Sequence, residues 1–485
     1  MSRSGSIVRH IDWLTVIMFL GLVLFGWLNI YAAGYNYDQT SIFDFNLRAG
    51  KQFVWILTAL VMGGAILIIN DKAYDMLAYV LYAAMIVLLL VTPVFAHNVK
   101  GSLSWLSLGP ISLQPAEFAK VITALAVAKF MGRYDYKVRS WRDWVILFAL
   151  IGVPAFIIMV LQRETGSALV MLAFLLVFYR KGMSGYVLWI CAIAVVFFIL
   201  VIRFGQSSLP IGSGNVGVFT CGLMLEAIVF YFIHQTHRKP VSSLIVLGSV
   251  LFVYAMACVL CLWFHVNMNI VTLIVLGLLV GYLGYLVVRY RRWNLLLVML
   301  FTVFSIGYIQ ASDFVFQKVL KPHQRTRIEV LLGMRDDPSG AGYNVNQARI
   351  AIGSGRLLGK GFLQGTQTKL RYVPEQDTDF IFCTIGEEWG FVGSCLVLLV
   401  YMGFILRIIR IAERQRNQFS QIYAYCVACI FLFHLVINIG MVLGLLPVIG
   451  IPLPFFSYGG SSLWGFTILL FILLKLDSVR VDQLH

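Results

Sequence analysis

Charge is what this sequence has least of. Asp, Glu, Lys and Arg make up 12% of its 485 residues, against about 25% in ordinary soluble domains. That shortage argues against a large soluble core. With 60% hydrophobic residues and a mean hydropathy of +0.87, the chain reads as a polytopic membrane protein. Acidic groups are scarcer than basic ones, 22 against 37, for a net charge of +15. A nucleic-acid role does not follow, because the basic residues collect in short loops on one side of the apolar runs, as the positive-inside rule expects. Cysteines are few as well, eight in all. Cys258–Cys261 and Cys426–Cys429 have CxxC spacing, but each pair lies in an apolar run without a nearby His/Cys pair, which suits small buried residues better than zinc or redox chemistry. No repeat at a fixed period is present, so solenoid arrays are excluded. The run from Trp13 to Ala33 after Arg3–His10 exceeds the apolar core of about 7–15 residues in a cleavable signal, and is expected to be a retained first span.

A spanning helix needs about 20 apolar residues. Candidate runs are 13–33, 52–70, 76–95, 114–131, 143–161, 166–180, 186–204, 216–235, 241–264, 268–289, 294–316, 380–406, 422–446 and 455–477, about fourteen in all. The fold class expected is an all-α polytopic membrane protein. Placing the N-terminus inside brings Lys72, Arg133/Lys137/Arg139/Arg142, Arg180/Lys181, Arg238/Lys239, Arg289/Arg291/Arg292, Arg407/Arg410/Arg414/Arg416, Lys475 and Arg480 to the inner side. The short outer loops keep only Arg48, Lys51, Lys100, Arg163 and Arg203. The alternation predicts cytoplasmic N- and C-termini and an outward-facing polar segment after residue 317. The boundaries expected are 1–185 for the first group of helices, 186–293 for a four-helix membrane module, 294–316 for a further helix, 317–379 for a large outer loop and 380–485 for the last helices. The 186–290 stretch has few charges within its spans and a turn-rich linker, Ser207–Gly214; no function is legible in it.

The outer segment, from Lys318 to about Glu388, carries Arg325, Arg327, Asp336 and Asp337, a glycine-rich centre, and then Val373-Pro374-Glu375-Gln376-Asp377-Thr378-Asp379-Phe380. A loop this long in a compact protein is commonly functional or disordered, and its Ile350, Ile352, Leu357, Leu358, Phe362, Leu363, Leu370 and Tyr372 give it apolar groups to bury. Several constellations each admit two readings. Pro115 suits a first helical turn, and Glu117 and Lys120 then sit i, i+3 on one face, either as a structural ion pair or beside a polar ligand. Gln162-Arg163-Glu164-Thr165-Gly166 reads as a solvated turn. Arg325 and Arg327, beside His323, suit phosphate or lipid headgroups. Asp379 precedes an apolar run, where a helix cap alone would explain it. Glu375, Asp377 and Asp379 form an acidic cluster able to hold a divalent cation through oxygen ligands. Pro447, Gly450, Pro452 and Pro454, followed by Ser457-Tyr458-Gly459-Gly460, break a spanning segment, as helices lining a polar cleft do.

Taken together, Gly340-Ala341-Gly342-Tyr343-Asn344-Val345-Asn346-Gln347-Ala348, Ile352-Gly353-Ser354-Gly355, Gly359-Lys360-Gly361, Pro374-Glu375, Thr378-Asp379-Phe380-Ile381-Phe382, Gly386-Glu387-Glu388 and Ser457-Tyr458-Gly459-Gly460 closely resemble the SEDS (shape, elongation, division and sporulation) family. The resemblance covers about 1–180 and 294–477, and is nearer the rod-shape (RodA-type) branch than the division (FtsW-type) branch. It implies a core of about ten helices, so that 186–290 is an insertion of about four. Arg163-Glu164 departs from the family's usual Pro-Asp after Gln.

The resemblance also implies a peptidoglycan glycosyltransferase that polymerises lipid II at the outer face of the cytoplasmic membrane. Its implied partners are a class B penicillin-binding transpeptidase, other membrane proteins of the elongation complex, and membrane lipid. The family's essential outer-loop aspartate falls on Asp379. The expected reaction is an inverting transfer that releases undecaprenyl pyrophosphate, with Asp379 as general base. Arg325 and Arg327, or a divalent ion (Mg²⁺ or Mn²⁺) bound at Asp379, would offset the pyrophosphate charge. Glu117, Lys120, Gln347, Ser457, Gly459 and Gly460 are expected to line the substrate cleft. A lipid II flippase and a non-catalytic scaffold for the transpeptidase are the alternatives.

Overall fold

Long Leu-, Ile-, Val- and Phe-rich runs without internal partners for exposed backbone can only close their hydrogen bonds within a helix. Helices accordingly dominate the computed structural model, which describes residues 10–35, 41–99, 101–109, 111–133, 141–236, 240–320, 322–335, 340 and 342–480. Arg3, Lys100, Pro110, Lys137, Arg139, Arg238, Lys239, Asp336, Asp337, Ala341 and the His323 side chain lie outside the described residues. Among those described, twelve helices are long and apolar enough to cross a membrane. An eighteen-residue helix, Pro115–Gly132, and a shorter apolar pair within Thr165–Arg180 occupy the two remaining runs.

The chain divides into two compact units, Met1–Ser184 with Pro338–His485, and Gly185–Asp337. The first unit begins with α1 (Trp13–Gly34), α2 (Arg48–Ile68) and α3 (Asp71–Phe95). A small sheet not foreseen in the sequence follows: β1 (His97–Val99), β2 (Ser102–Leu108) and β3 (Ile111–Leu113), antiparallel in the order β1-β2-β3. Gly101 and Gly109, at φ 91° and 66°, supply its tight turns. Period-2 alternation places Ser102 and Ser104 on one face of β2. Then come α4 (Pro115–Gly132), α5 (Trp141–Phe156) with a π turn at Ile157–Leu161, α6 (Thr165–Val170) and α7 (Phe174–Arg180).

After the second unit, the first resumes with α14 (Tyr343–Ser354), α15 (Thr366–Lys369), α16 (Ile381–Glu388), α17 (Gly390–Arg414), α18 (Gln418–Val442) and α19 (Gly460–Ser478). The run expected to span at 380–406 is therefore two helices. Gly390, at φ 67°, turns the chain at the end of α16, and the spanning helix starts there. Near the chain ends, Asp12 accepts from Arg407 at 2.6 Å and from Arg414 at 2.9 Å. Asp477 accepts from the Arg414 Nε at 2.9 Å and from Gln415 at 2.7 Å. Part of the basic cluster expected on the inner side is thus satisfied within the bundle.

The second unit holds α8 (Gly185–Phe204), α9 (Val216–Thr236), α10 (Pro240–Leu260), α11 (Met268–Tyr290), α12 (Asn294–Phe314) with a π turn at Val315–Val319, and α13 (Pro322–Leu331). Its buried seam includes Phe197, Val201, Leu225, Leu276 and Ile309, and next to Leu225 stands the carboxylate of Glu226. The Tyr254 hydroxyl reaches Glu226 at 2.7 Å and Thr272 at 3.0 Å, tying α9, α10 and α11 together. The residues expected as one outer loop, 317–379, fall on both sides of the division between the units.

Candidate active site

Pro115 stands at the start of α4, and the first turn it fixes carries the Glu117–Lys120 pair. The Lys120 ammonium lies 2.7 Å from Glu117, and both side chains are almost wholly buried. Lys120 Nζ is also 3.0 Å from His434 Nε2, and His434 Nδ1 is 3.1 Å from the Pro452 carbonyl. An ammonium has donors only, so Nε2 must accept and Nδ1 must carry the hydrogen donated to Pro452. One turn further along α18, the Asn438 amide donates to the Ile451 carbonyl at 2.7 Å and to the Asp379 carbonyl at 2.9 Å. His434 and Asn438 are i, i+4 on one face, and between them they tie α4, the broken 449–453 segment and Asp379 together.

Asp379 is half-buried. The helix that follows starts at Ile381 with Phe380 at its N-cap position, so Asp379 stands one residue ahead of the cap. Its neighbours are fixed contact by contact. Ser457 Oγ donates to the Thr378 carbonyl at 2.6 Å and accepts from the Leu453 amide at 2.8 Å. The Tyr458 amide donates to the Asp377 carbonyl at 2.8 Å. Arg48 pairs with Asp377 (Nη1–Oδ2 2.6 Å) and lies over the Tyr458 ring. Tyr401 donates to the Pro454 carbonyl. Gly450, at φ 76°, faces the carboxylate so closely that a Cβ there would lie 3.3 Å from Asp379 Oδ2. Gly166, at the start of α6, would place a Cβ 3.0 Å from the Ile449 carbonyl. The 164–166 turn and Asp379 therefore meet the same three-residue segment.

Glu164 is not a solvated turn residue. Its Oε2 accepts from Ser102 at 2.8 Å and from Ser104 at 3.1 Å, the two serines that β2 puts on one face. Burial pushes its carboxyl up, against the lowering pull of the serines; Glu117 raises it and Lys120 lowers it.

The glycine-rich centre explains itself by close approach. A Cβ at Gly355 would sit 2.0 Å from the Gly386 carbonyl, and one at Gly359 2.1 Å from the Glu388 carbonyl. Through these contacts the 355–365 stretch bonds to α16, with the Lys360 and Gly361 amides donating to the Glu387 and Glu388 carbonyls. The Glu387 carboxylate, with no exposure, accepts from Lys360 at 2.6 Å and from the Thr366, Gln367 and Thr368 amides at 2.8–2.9 Å. Burial raises it, but Lys360 and those amides outweigh burial and hold it below the ordinary range. Glu388 beside it has the opposite fate: burial pushes it up to about 7, against the weaker lowering pull of the Leu363 and Gly365 amides.

Among the other expected site residues, Gln347 is half-buried on α14. The Gly459 amide donates to Gln52 at 3.2 Å, and Gly460 packs against the Trp55 ring. Ser457, Gly459 and Gly460 thus hold the broken segment against the 377–379 turn and α2. Arg325 and Arg327 lie in the second unit on α13, where Arg325 bonds Glu329 at 2.7 Å. No group of three His, Cys, Asp or Glu side chains converges as metal ligands among the described residues; Asp377 turns to Arg48 instead. Sequence reading passed over His434 and Asn438. Two polar residues four apart within Phe431-Leu432-Phe433-His434-Leu435-Val436-Ile437-Asn438 are the signal that finds them.

Residues 12–209 and 214–481 match the family model described as "Cell cycle protein", FtsW, RodA and SpoVE. The chain is 29% identical to the peptidoglycan glycosyltransferase RodA of Treponema pallidum, over 97% of this chain and 98% of that one. It is 28% identical to the peptidoglycan glycosyltransferase MrdB of Escherichia coli K12, over 94% and 90%. It is 26% identical to the stage V sporulation protein E of Bacillus subtilis, over 93% of each. The fold is similar to a chain of a peptidoglycan synthase complex that coordinates polymerization and crosslinking (TM-score 0.57, 22% identity, 98% of each chain). It is also similar to the rod shape determining protein RodA of Thermus thermophilus (TM-score 0.53, 20% identity, 97% of each chain).

Proposed function

Because this chain belongs to the FtsW, RodA and SpoVE cell cycle protein family, we propose that it is a RodA-type peptidoglycan glycosyltransferase with Asp379 as its general base. The observation that carries this reading is the locking of the 377–379 turn to the broken 449–458 segment by Asn438, Ser457 and Tyr458. That frame holds one half-buried carboxylate beside a glycine, where a substrate hydroxyl can reach it.

Lipid II is both donor and acceptor. Asp379 takes the proton of the acceptor sugar hydroxyl as its oxygen bonds to C1 of the donor. The C1–O bond to phosphate breaks with inversion, and undecaprenyl pyrophosphate leaves with the electron pair. A glycosidase needs a second carboxyl to protonate a poor leaving alcohol; a charge-screened pyrophosphate does not. General-base assistance of this kind is worth about 10²–10⁴-fold. Glu117, Lys120 and Gln347 serve the substrate side of this unit, with Lys120 as a buried cation behind it. The donor set at Asp379 is one carboxylate, which suits a Mg²⁺ or Mn²⁺ ion carried chiefly by substrate phosphates; such an ion would add charge screening. The working arrangement is a cytoplasmic-membrane protein with both termini inside, the Asp379 end outside, and a class B penicillin-binding transpeptidase alongside, together with other elongation-complex proteins.

The test is purified Asp379→Asn protein with labelled lipid II. A polymerisation rate lowered by about 100-fold or more is expected, with protein yield and thermal midpoint retained. Polymer at the wild-type rate removes Asp379 from the chemistry. Lipid translocation in vesicles without polymer favours a flippase, and growth supported by Asp379→Asn favours a scaffold. A rate indifferent to chelator removes the metal.

A further inference from the structure

A cavity of about 340 Å³ opens beside the turn that leads to Asp379, within the range of about 300–1,000 Å³ of small-molecule sites. The chemistry proposed above makes no use of it. Tyr31 and Tyr35 from the end of α1, Asn46 and Arg48 from the approach to α2, and Arg371 and Glu375 from the opposite wall face it.

That wall is stiffly built. Gln376 Nε2 donates to the Ala33 carbonyl at 2.6 Å and to the Thr368 carbonyl at 2.8 Å, pinning the wall to the end of α1. Arg48 clamps Asp377 from the other side. Arg371 and Glu375 both take left-handed backbone at φ 54°, a costly conformation for non-glycine residues that persists only where surrounding contacts enforce it and that gathers at binding sites. Gln376 Oε1 is buried on this wall without a hydrogen-bond partner.

The lining says what would fit. Two guanidinium groups, Arg48 and Arg371, stand against two carboxylates, Glu375 and Asp377. A pyrophosphate calls for an excess of cation, which this balance does not offer. Phenol rings set edge to face at 5.6 Å, with planar amide and guanidinium groups around them, suit a neutral ligand rich in hydroxyl and acetamido groups: a sugar ring. Asp377 lines the cavity and Asp379 follows two residues on, at most about 7 Å along the backbone, so a ring in the cavity neighbours the turn that carries the reacting carboxylate.

We propose that this cavity binds a hexosamine unit of the glycan strand and keeps the polymer beside Asp379 between additions. The proposal rests on the polymerase reading, and its test separates the two. Asn46 is the probe: it is exposed, and among the described residues its side chain hydrogen-bonds nothing. Asn46→Trp fills the cavity; Asn46→Ala only removes the amide and guards against misfolding of the bulkier variant. First, a lipid-free tetrasaccharide of alternating N-acetylglucosamine and N-acetylmuramic acid is titrated into full-length Asp379→Asn protein, with saturation-transfer NMR as the readout. Binding is expected, weakened about tenfold or more by Asn46→Trp and less by Asn46→Ala. Second, with Asp379 intact, Asn46→Trp is expected to shorten the strands made from lipid II by more than it slows formation of the first glycosidic bond. Polymer of unchanged length, or tetrasaccharide binding indifferent to both substitutions, overturns the proposal and leaves the polymerase reading standing. Substitution-sensitive binding by a protein that makes no polymer sustains the saccharide site and sinks the polymerase instead.

Discussion

The polar segment between α12 and α17 folds in two halves by different means. In residues 322–335, α13 has little apolar character and is held locally. Arg325 bonds Glu329 one turn away, and its guanidinium rests against Phe316. In residues 342–388 the ties are long-range. Glycines without Cβ atoms let backbone lie on backbone, and one buried carboxylate, Glu387, gathers a lysine and three amides from the 360–368 stretch. The second half runs straight into Asp379. The position of Asp379 thus comes from contacts that bridge distant chain, whereas a locally paired helix gains only its own persistence.

That contrast predicts graded losses. Gly359→Ala has the largest effect. Left-handed backbone strain and a Cβ 2.1 Å from the Glu388 carbonyl together cost about 4 kcal/mol, read as rapid limited proteolysis near residues 355–370 and lost activity. Unchanged protease resistance breaks the claim that the second half is pinned there. Glu387→Ala follows at about 3 kcal/mol, because a buried ion pair is broken and amides are left without an acceptor; thermal midpoint and hydrogen exchange at Thr366–Thr368 report it.

Glu388→Gln should act in the opposite direction. Folded Glu388 keeps its proton to about 7, while its ordinary value is 4.5. Between those values the folded state binds more protons, so stability falls as pH rises and levels off above the window. The glutamine variant is expected to gain on the wild type by on the order of 3 kcal/mol at pH 8 and almost nothing at pH 4. Equal gains at both pH values discard the burial argument. Arg325→Ala should be the mildest, within about 0.5 kcal/mol in stability. Polymerisation by Arg325→Ala with Arg327→Ala then asks whether the first half serves the chemistry, and a wild-type rate answers that it does not.

The sequence made the apolar runs readable because each span is a local property of about 20 residues. The Glu117–Lys120 pair was readable for the same reason, as i, i+3 spacing on one turn. The start of α17 at Gly390 instead of residue 380 was not, since apolar Phe380–Ile385 looks membrane-like until Gly359 is known to lie against the turn that separates them. Glu387 and Glu388 are adjacent and chemically alike; Lys360 and the amides from 366–368 decide which stays ionised. Arg48–Asp377 and Asn438–Asp379 join residues hundreds or tens of positions apart, and no spacing rule reaches that far. Ser102, Ser104 and Glu164 meet because a three-stranded sheet, itself a surprise in a helical protein, presents two serines on one face.

The i, i+4 pair on α18 has a mechanical corollary. His434 and Asn438 are about 6 Å apart along a rigid axis, and they engage the adjacent carbonyls Pro452 and Ile451 of the broken segment. Like two teeth of one key, they admit a single register. Sliding α18 by one residue, or rotating it by one step of about 100°, would withdraw both at once. The helix, the broken segment and the Asp379 backbone must therefore shift together or stay put, so a push along α18 is geared directly to the Asp379 backbone.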